Sequence, residues 1–217
     1  MDILGITISI FILIYSSILH EIAHGYTAYR LGDPTAKLLG RLTLDPRPHI
    51  DPYMSILLPV LMFLGSGGRF IFGGARPVPV DAFNLRDGIK DLALVSVAGP
   101  FTNVLLAAVA SFLLHFFYPG IPFFEIEATG IMGFFLTKTV ELNLLLAIFN
   151  LLPIPPLDGS KIFALILPEK MAAQFLSIGQ QFGMFILLFL LFFPIGGFSL
   201  MDLVGNLINF SLRLLGF

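Results

Sequence analysis

The chain has 217 residues, of which 57% are hydrophobic and 12% charged, with a mean hydropathy of +0.94 and a formal charge of −2. A soluble domain needs a solvated outer face; the long uncharged stretches here cannot supply one, and lipid is the medium that can cover them. The scattered Lys and Arg form no basic stripe for nucleic acid, and without cysteine there is no disulfide, thiolate ligand or cysteine nucleophile, so any metal must be held by His, Asp or Glu.

Residues 3–29 carry no charge except Glu21 and exceed the roughly 20 residues that cross a bilayer. Asp2 stands where a secretory signal would be basic, so a retained spanning helix is expected. At about 1.5 Å per residue, position 20 lies some 25 Å beyond position 3, near the far face of the apolar slab. Gly32-Asp33-Pro34 ends this helix, and Arg30, Lys37, Arg41 and Arg47 mark the side as cytoplasmic.

Residues 38–44 have strand-like composition. Residues 54–65 are apolar but short and contain Pro59, which predicts a re-entrant segment rather than a crossing. Glycine-rich residues 65–74 lead into Ala75-Arg76-Pro77-Val78-Pro79-Val80, whose prolines force an extended backbone, either an edge strand or a polyproline segment.

A second span is expected over 92–118, interrupted by Gly99-Pro100. The linker 119–130 holds Glu125 and Glu127 without Lys or Arg, as an external loop does. A third span over 131–152 breaks at Pro153 and runs on to Asp158-Gly159. A fourth covers 175–195, and 198–217 is a fifth or an interfacial helix, given Asp202, Asn206, Asn209 and Arg213. The expected fold is an all-α polytopic membrane protein of about five to six transmembrane helices with a small membrane-embedded strand and re-entrant region. All of it falls in one domain over 1–217: a metal-motif helix (3–29), a loop region (31–91), a second span (92–118), a third (131–159) and C-terminal helices (175–217).

His20-Glu21-Ile22-Ala23-His24 matches His-Glu-x-x-His on a helix, where positions four apart share a face and both imidazoles reach one Zn²⁺. Glu21 stands beside them as a base toward the attacking water. Burying three ionisable groups in one turn of a spanning helix costs several kcal/mol, which a bound dication offsets. A catalytic zinc takes a third protein ligand and leaves one position open. Asp158 fits: with a re-entrant 54–65, the first span runs inward, the second returns, and the third brings Asp158 to the side of the histidines. The cations Arg69, Arg76, Arg86 and Lys90 on the intervening loop favour that parity. His49 lies on the same side, as a fourth ligand, proton relay, lid contact or plain loop histidine, while His115 reads as structural.

Three segments in order carry a resemblance: His20 to His24, Gly99-Pro100-Phe101-Thr102-Asn103, and Asn150-Leu151-Leu152-Pro153-Ile154-Pro155-Pro156-Leu157-Asp158-Gly159. The chain resembles the site-2 protease family of intramembrane zinc metalloproteases, in the compact form without a PDZ or CBS domain. The resemblance implies one Zn²⁺ per chain on His20, His24 and Asp158, with Glu21 as catalytic base. It further implies a substrate or oxyanion contact for Asn150, with Asn143 on the same stripe one heptad earlier, and either substrate contact or helix packing for Asn103. Gly74, Ala75, Arg76, Pro77 and Val78 resemble the strand beside the family's cleft, to which an unwound substrate segment would pair. The implied substrates are single-span membrane proteins in a prokaryotic cytoplasmic membrane, cleaved near its cytoplasmic side. The alternative, a membrane zinc-binding or transport protein, predicts ligands at metal spacing on several spans and an ion path across both leaflets.

Overall fold

Four long apolar helices organise the computed structural model, which describes residues 3–65, 73–197 and 199–217. In chain order the helices are α1 (Ile3–Leu31), α2 (Thr35–Leu38), α3 (Leu58–Gly65), α4 (Ile89–Phe117), α5 (Phe123–Ile126), α6 (Ile131–Leu151), α7 (Asp158–Ala164), α8 (Glu169–Phe192) and α9 (Leu200–Leu214). Short 3₁₀ turns occur at Arg47–His49 and Glu127–Thr129, and a π-helical turn, Pro52–Leu57, leads into α3. Among the described residues α1, α4, α6 and α8 are long and apolar enough to cross a bilayer, which makes the chain a multi-pass integral membrane protein.

Of the expected five to six spans, four are found among the described residues. α9 has 15 residues and so measures about 22 Å, short of the roughly 30 Å hydrocarbon core. Residues 52–65 are helical throughout and shorter still, too short to cross. The first span extends two residues past the expected 29, the second starts at Ile89 rather than 92, and the fourth runs Glu169–Phe192.

The strand expectations fail for a local reason. Leu38 closes α2, and Gly40 at φ 65° turns the chain where 38–44 would have to alternate. Residues 73–80 take no regular secondary structure and form no strand among the described residues, because their donors are spent elsewhere. Arg76 N–H donates to the His49 carbonyl at 2.7 Å and Val78 N–H to Glu21 Oε2 at 2.6 Å, while Pro77 and Pro79 have no N–H for a ladder. The glycine-rich residues 66–72, including Arg69, and Phe198 lie outside the described residues.

α4 is the central helix, packed against both α1 and α6 and touching α7. Its contact face is built from small side chains, with Ala93, Gly99, Ala107 and Ala110 all buried, so neighbouring backbones approach closely. Large side chains face outward instead: Phe112, Phe116 and Phe185 are each about 70% exposed, the arrangement lipid rather than water demands. Gly32, at φ 115°, closes α1, and the next residue folds into a polar clamp. There the fully buried Asp33 carboxylate accepts from Thr35 N–H and hydroxyl, Asp81 N–H and Asn84 Nδ2, tying the end of α1 to the end of segment 73–80.

Candidate metal centre

His20 and His24 stand one turn apart on the face of α1 that meets α4, and Ser16 continues the row a turn earlier. Their Nε2 atoms lie 2.9 Å apart. Asp158, the first residue of α7, brings its Oδ2 to 3.2 Å from His20 Nε2 and 3.0 Å from His24 Nε2. All three side chains are buried, at 6–7% exposure, and they form a group able to hold a metal ion.

Other groups fix how these ligands point. His24 Nδ1–H donates to the Val95 carbonyl at 2.7 Å and His20 Nδ1–H to Asn103 Oδ1 at 2.5 Å, which leaves a lone pair on each Nε2. The Lys161 ammonium, one turn along α7, donates to Asp158 Oδ1 at 3.1 Å, so only Oδ2 faces the imidazoles.

Glycines make the approach possible. A Cβ on Gly99 would sit 2.5 Å from both Nε2 atoms and 2.6 Å from His20 Cε1, so the α4 backbone forms the floor of the site. A Cβ on Gly159 would sit 2.1 Å from the Leu151 carbonyl oxygen, because α7 folds back against the end of α6 to deliver Asp158. On α8, Gly179 and Gly183 receive Pro155: added Cβ atoms would lie 2.4 Å from its Cβ and 2.8 Å from its carbonyl carbon. These contacts give the glycines of the Gly-Pro and Asp-Gly motifs a steric reason.

The donor set fits zinc. Two imidazole lone pairs and a carboxylate oxygen about 3 Å apart repel one another unless a cation lies among them. A tetrahedral ion with bonds of about 2.0–2.1 Å separates its ligands by roughly 3.3 Å, close to the observed triangle. Gly99 keeps that space open.

Fold and site together define a membrane protein with two histidines and a carboxylate converging on one metal position, beside a glutamate on the same helix. The chain belongs to peptidase family M50, whose model matches residues 8–190, and is a membrane zinc metalloprotease. It is 39% identical over 194 residues, 89% of this chain and 84% of the relative, to "Putative zinc metalloprotease YwhC" of Bacillus subtilis (strain 168). Similar zinc metalloprotease names are carried by Rip2 of Mycolicibacterium smegmatis, 33% identical over 89% of this chain and 70% of the relative, and by MJ0611 of Methanocaldococcus jannaschii, 38% identical over 51% of each. No solved structure matches the chain.

The remaining expected site residues separate. Glu21 is half-buried and its Oε2 accepts from Val78 N–H. Asn103 is fully buried with both ends of its amide engaged, to His20 and to Asn143, which leaves no polar atom for a substrate. Asn143 and Asn150 each donate from the amide nitrogen to the carbonyl four residues earlier, Thr139 and Leu146, but Asn143 is fully buried and also bonds across to Ser16 and Asn103, whereas Asn150 is half-buried. Gly74, Ala75, Arg76, Pro77 and Val78 lie on segment 73–80, where Ser55 Oγ donates to Gly74 O and the buried Arg41 donates to the Arg76 and Pro77 carbonyls. His49 is buried outside the metal group, its Nε2 donating to Thr43 O at 3.0 Å, and His115 Nδ1 donates to Ser111 O.

Sequence reasoning missed Ser16, Lys161 and the Val95 carbonyl. The first two had a visible signal, each being a polar residue one helical turn from a ligand. A backbone carbonyl has none.

Proposed function

We propose that the protein is an intramembrane endopeptidase in which His20, His24 and Asp158 hold one zinc ion, and Glu21 is the general base that cleaves transmembrane segments of single-span substrates. The convergence of His20 Nε2, His24 Nε2 and Asp158 Oδ2 beside Glu21 carries this reading. Zinc, when bound, polarises the scissile carbonyl and lowers the pKa of the attacking water. Glu21 takes the proton of that water on its free carboxylate oxygen and delivers it to the leaving nitrogen. Val78 N–H, on Oε2, keeps the carboxylate turned toward segment 73–80.

A substrate helix must unwind before its peptide bonds are accessible, and its freed N–H groups then need acceptors within the membrane. The carbonyls of residues 74–78 supply them, those of Gly74, Arg76 and Pro77 through the second lone pair left beside Ser55 and Arg41. Because Pro77 and Pro79 donate nothing, a substrate laid along this segment is held by its own N–H groups donating to backbone carbonyls. Asn150 is assigned a substrate or oxyanion contact through its amide oxygen, and Asn103 serves the metal ligands. The cationic residues flanking α1 and α2 favour a cytoplasmic-side active site in a prokaryotic cytoplasmic membrane.

Zinc-dependent cleavage of candidate single-span substrates in proteoliposomes tests the reading. Glu21→Gln is expected to abolish cleavage while retaining zinc, and Asp158→Asn to lose zinc. Undiminished cleavage by Glu21→Gln would sink the general-base role, and full zinc occupancy in Asp158→Asn the ligand set.

A further inference from the structure

Behind His20 runs a chain of buried amides whose direction is set from another helix. Asn143 Nδ2 donates to the Thr139 carbonyl of α6 and to Ser16 Oγ of α1, both at 2.9 Å. A backbone carbonyl can only accept, so the amide nitrogen of Asn143 is committed to that side and its oxygen faces Asn103. Asn103 Nδ2 donates to that oxygen at 2.9 Å, which turns Asn103 Oδ1 onto His20 Nδ1. An amide oxygen also only accepts, so the ring proton must sit on Nδ1 and the lone pair on Nε2, toward Asp158. Asn103 and Asn143 are 0% exposed, and Ser16 and His20 are 5% and 6%, so solvent does not compete along the chain.

His24 is held differently. Its Nδ1–H meets the Val95 carbonyl directly, an acceptor that cannot rotate. The two imidazoles therefore differ in what secures them: His24 depends on backbone, His20 on a relay of two side chains, each with an alternative flipped orientation.

We propose that Asn143, which does not touch the metal ligands, is a positioning residue for the metal centre: acting through Asn103, it selects the tautomer in which His20 offers Nε2 to the metal. The proposal rests on the reading of His20 as a zinc ligand. Losing Asn143 frees the Asn103 amide to flip, and a flipped amide presents NH₂ to Nδ1 and stabilises the tautomer whose Nε2 is protonated and cannot bind. His24 keeps its orientation throughout.

The test uses the full chain in lipid nanodiscs with ¹⁵N-labelled histidine; the chain has only four histidines, so each ring can be assigned. After zinc is removed by chelator, ¹⁵N shifts report the tautomer of each ring, and chelator competition on the zinc-loaded protein reports affinity. Wild type is expected to show Nδ1–H at both His20 and His24. In Asn143→Leu, His20 becomes a mixture of tautomers while His24 is unchanged, and zinc binding weakens by about 10–100-fold, as for loss of other outer-shell partners. Combining Asn143→Leu with Asn103→Ala weakens zinc no further than Asn103→Ala alone, because both act on one route.

The proposal is overturned if His20 keeps a single Nδ1–H tautomer and near-wild-type zinc affinity in Asn143→Leu, or if His20 and His24 change together, which marks general loosening. A His20 ring protonated on Nε2 and not on Nδ1 in zinc-stripped wild type overturns it without any variant, so a failure of Asn143→Leu to fold does not shelter it. Wild-type zinc affinity in His20→Ala would instead refute the ligand assignment, while the tautomer measurement still judges the relay.

Discussion

Gly99→Ala adds one methyl group to the wall of the metal site. The new Cβ would stand 2.5 Å from His20 Nε2 and from His24 Nε2, against at least 3.4 Å for ordinary van der Waals contact. Relief needs a shift of about 0.9 Å in the rings or in α4. The rings cannot retreat freely, since their far nitrogens are tied to Asn103 and Val95. Zinc sites tolerate about 0.2 Å of error in ligand distance, so the shift exceeds the tolerance severalfold. Zinc affinity should fall by at least about 100-fold, beyond the effect of an outer-shell change, with about 1–3 kcal/mol of overpacking cost. The assay is elemental zinc per purified chain after dialysis against graded chelator, with thermal unfolding and substrate cleavage measured on the same samples. Gly99→Ala protein that retains one zinc at wild-type affinity would refute the claim that the α4 backbone bounds the metal position.

Lys161→Met frees Asp158 Oδ1 without touching Oδ2; zinc affinity is expected to drop about tenfold in chelator competition, with activity restored at saturating zinc. Asp33→Asn places an amide nitrogen against Asp81 N–H or Thr35 N–H, and should cost about 1–3 kcal/mol in thermal or denaturant unfolding. Burial by itself would raise the Asp33 carboxyl, but the hydrogen bonds from Thr35, Asp81 and Asn84 hold it below its usual value. Its contribution to stability is therefore complete above the unfolded value of about 3.9 and is lost as pH falls through the lower folded value, a decline Asp33→Asn should lack. Gly179→Ala drives a methyl group to 2.4 Å from Pro155 and should cost about 1–3 kcal/mol while loosening the loop that carries Asp158, visible as weaker zinc binding.

Much of the site was legible because helical periodicity is a local rule. Four-residue spacing puts His20 and His24 on one face in any helix, and the uncharged length around them places that helix in lipid. Asp158 was reachable through charge topology, since each span reverses the side on which the chain emerges. The strands were misread because β propensity registers an extended backbone and not its partner. Residues 73–80 form no strand among the described residues, since Glu21 and the His49 carbonyl take the donors a ladder would have used. Asn103 and Asn150 looked alike as amides in spanning helices; burial and hydrogen-bond direction separated them, and both depend on which helix lies opposite.

The sequence by itself determined the solvent and the identity of the metal-binding residue types, because hydropathy and helical spacing act within one segment, while its count of five to six spans exceeded the four long apolar helices among the described residues. Only the tertiary structure decided how those residues are held. Gly99 is required because α4 passes under the imidazoles, Lys161 turns Asp158 to face them with one oxygen, and Asn143 orients His20 from α6. Each of these effects is a distance or a direction between segments far apart in the chain, and such quantities exist only once the helices have packed.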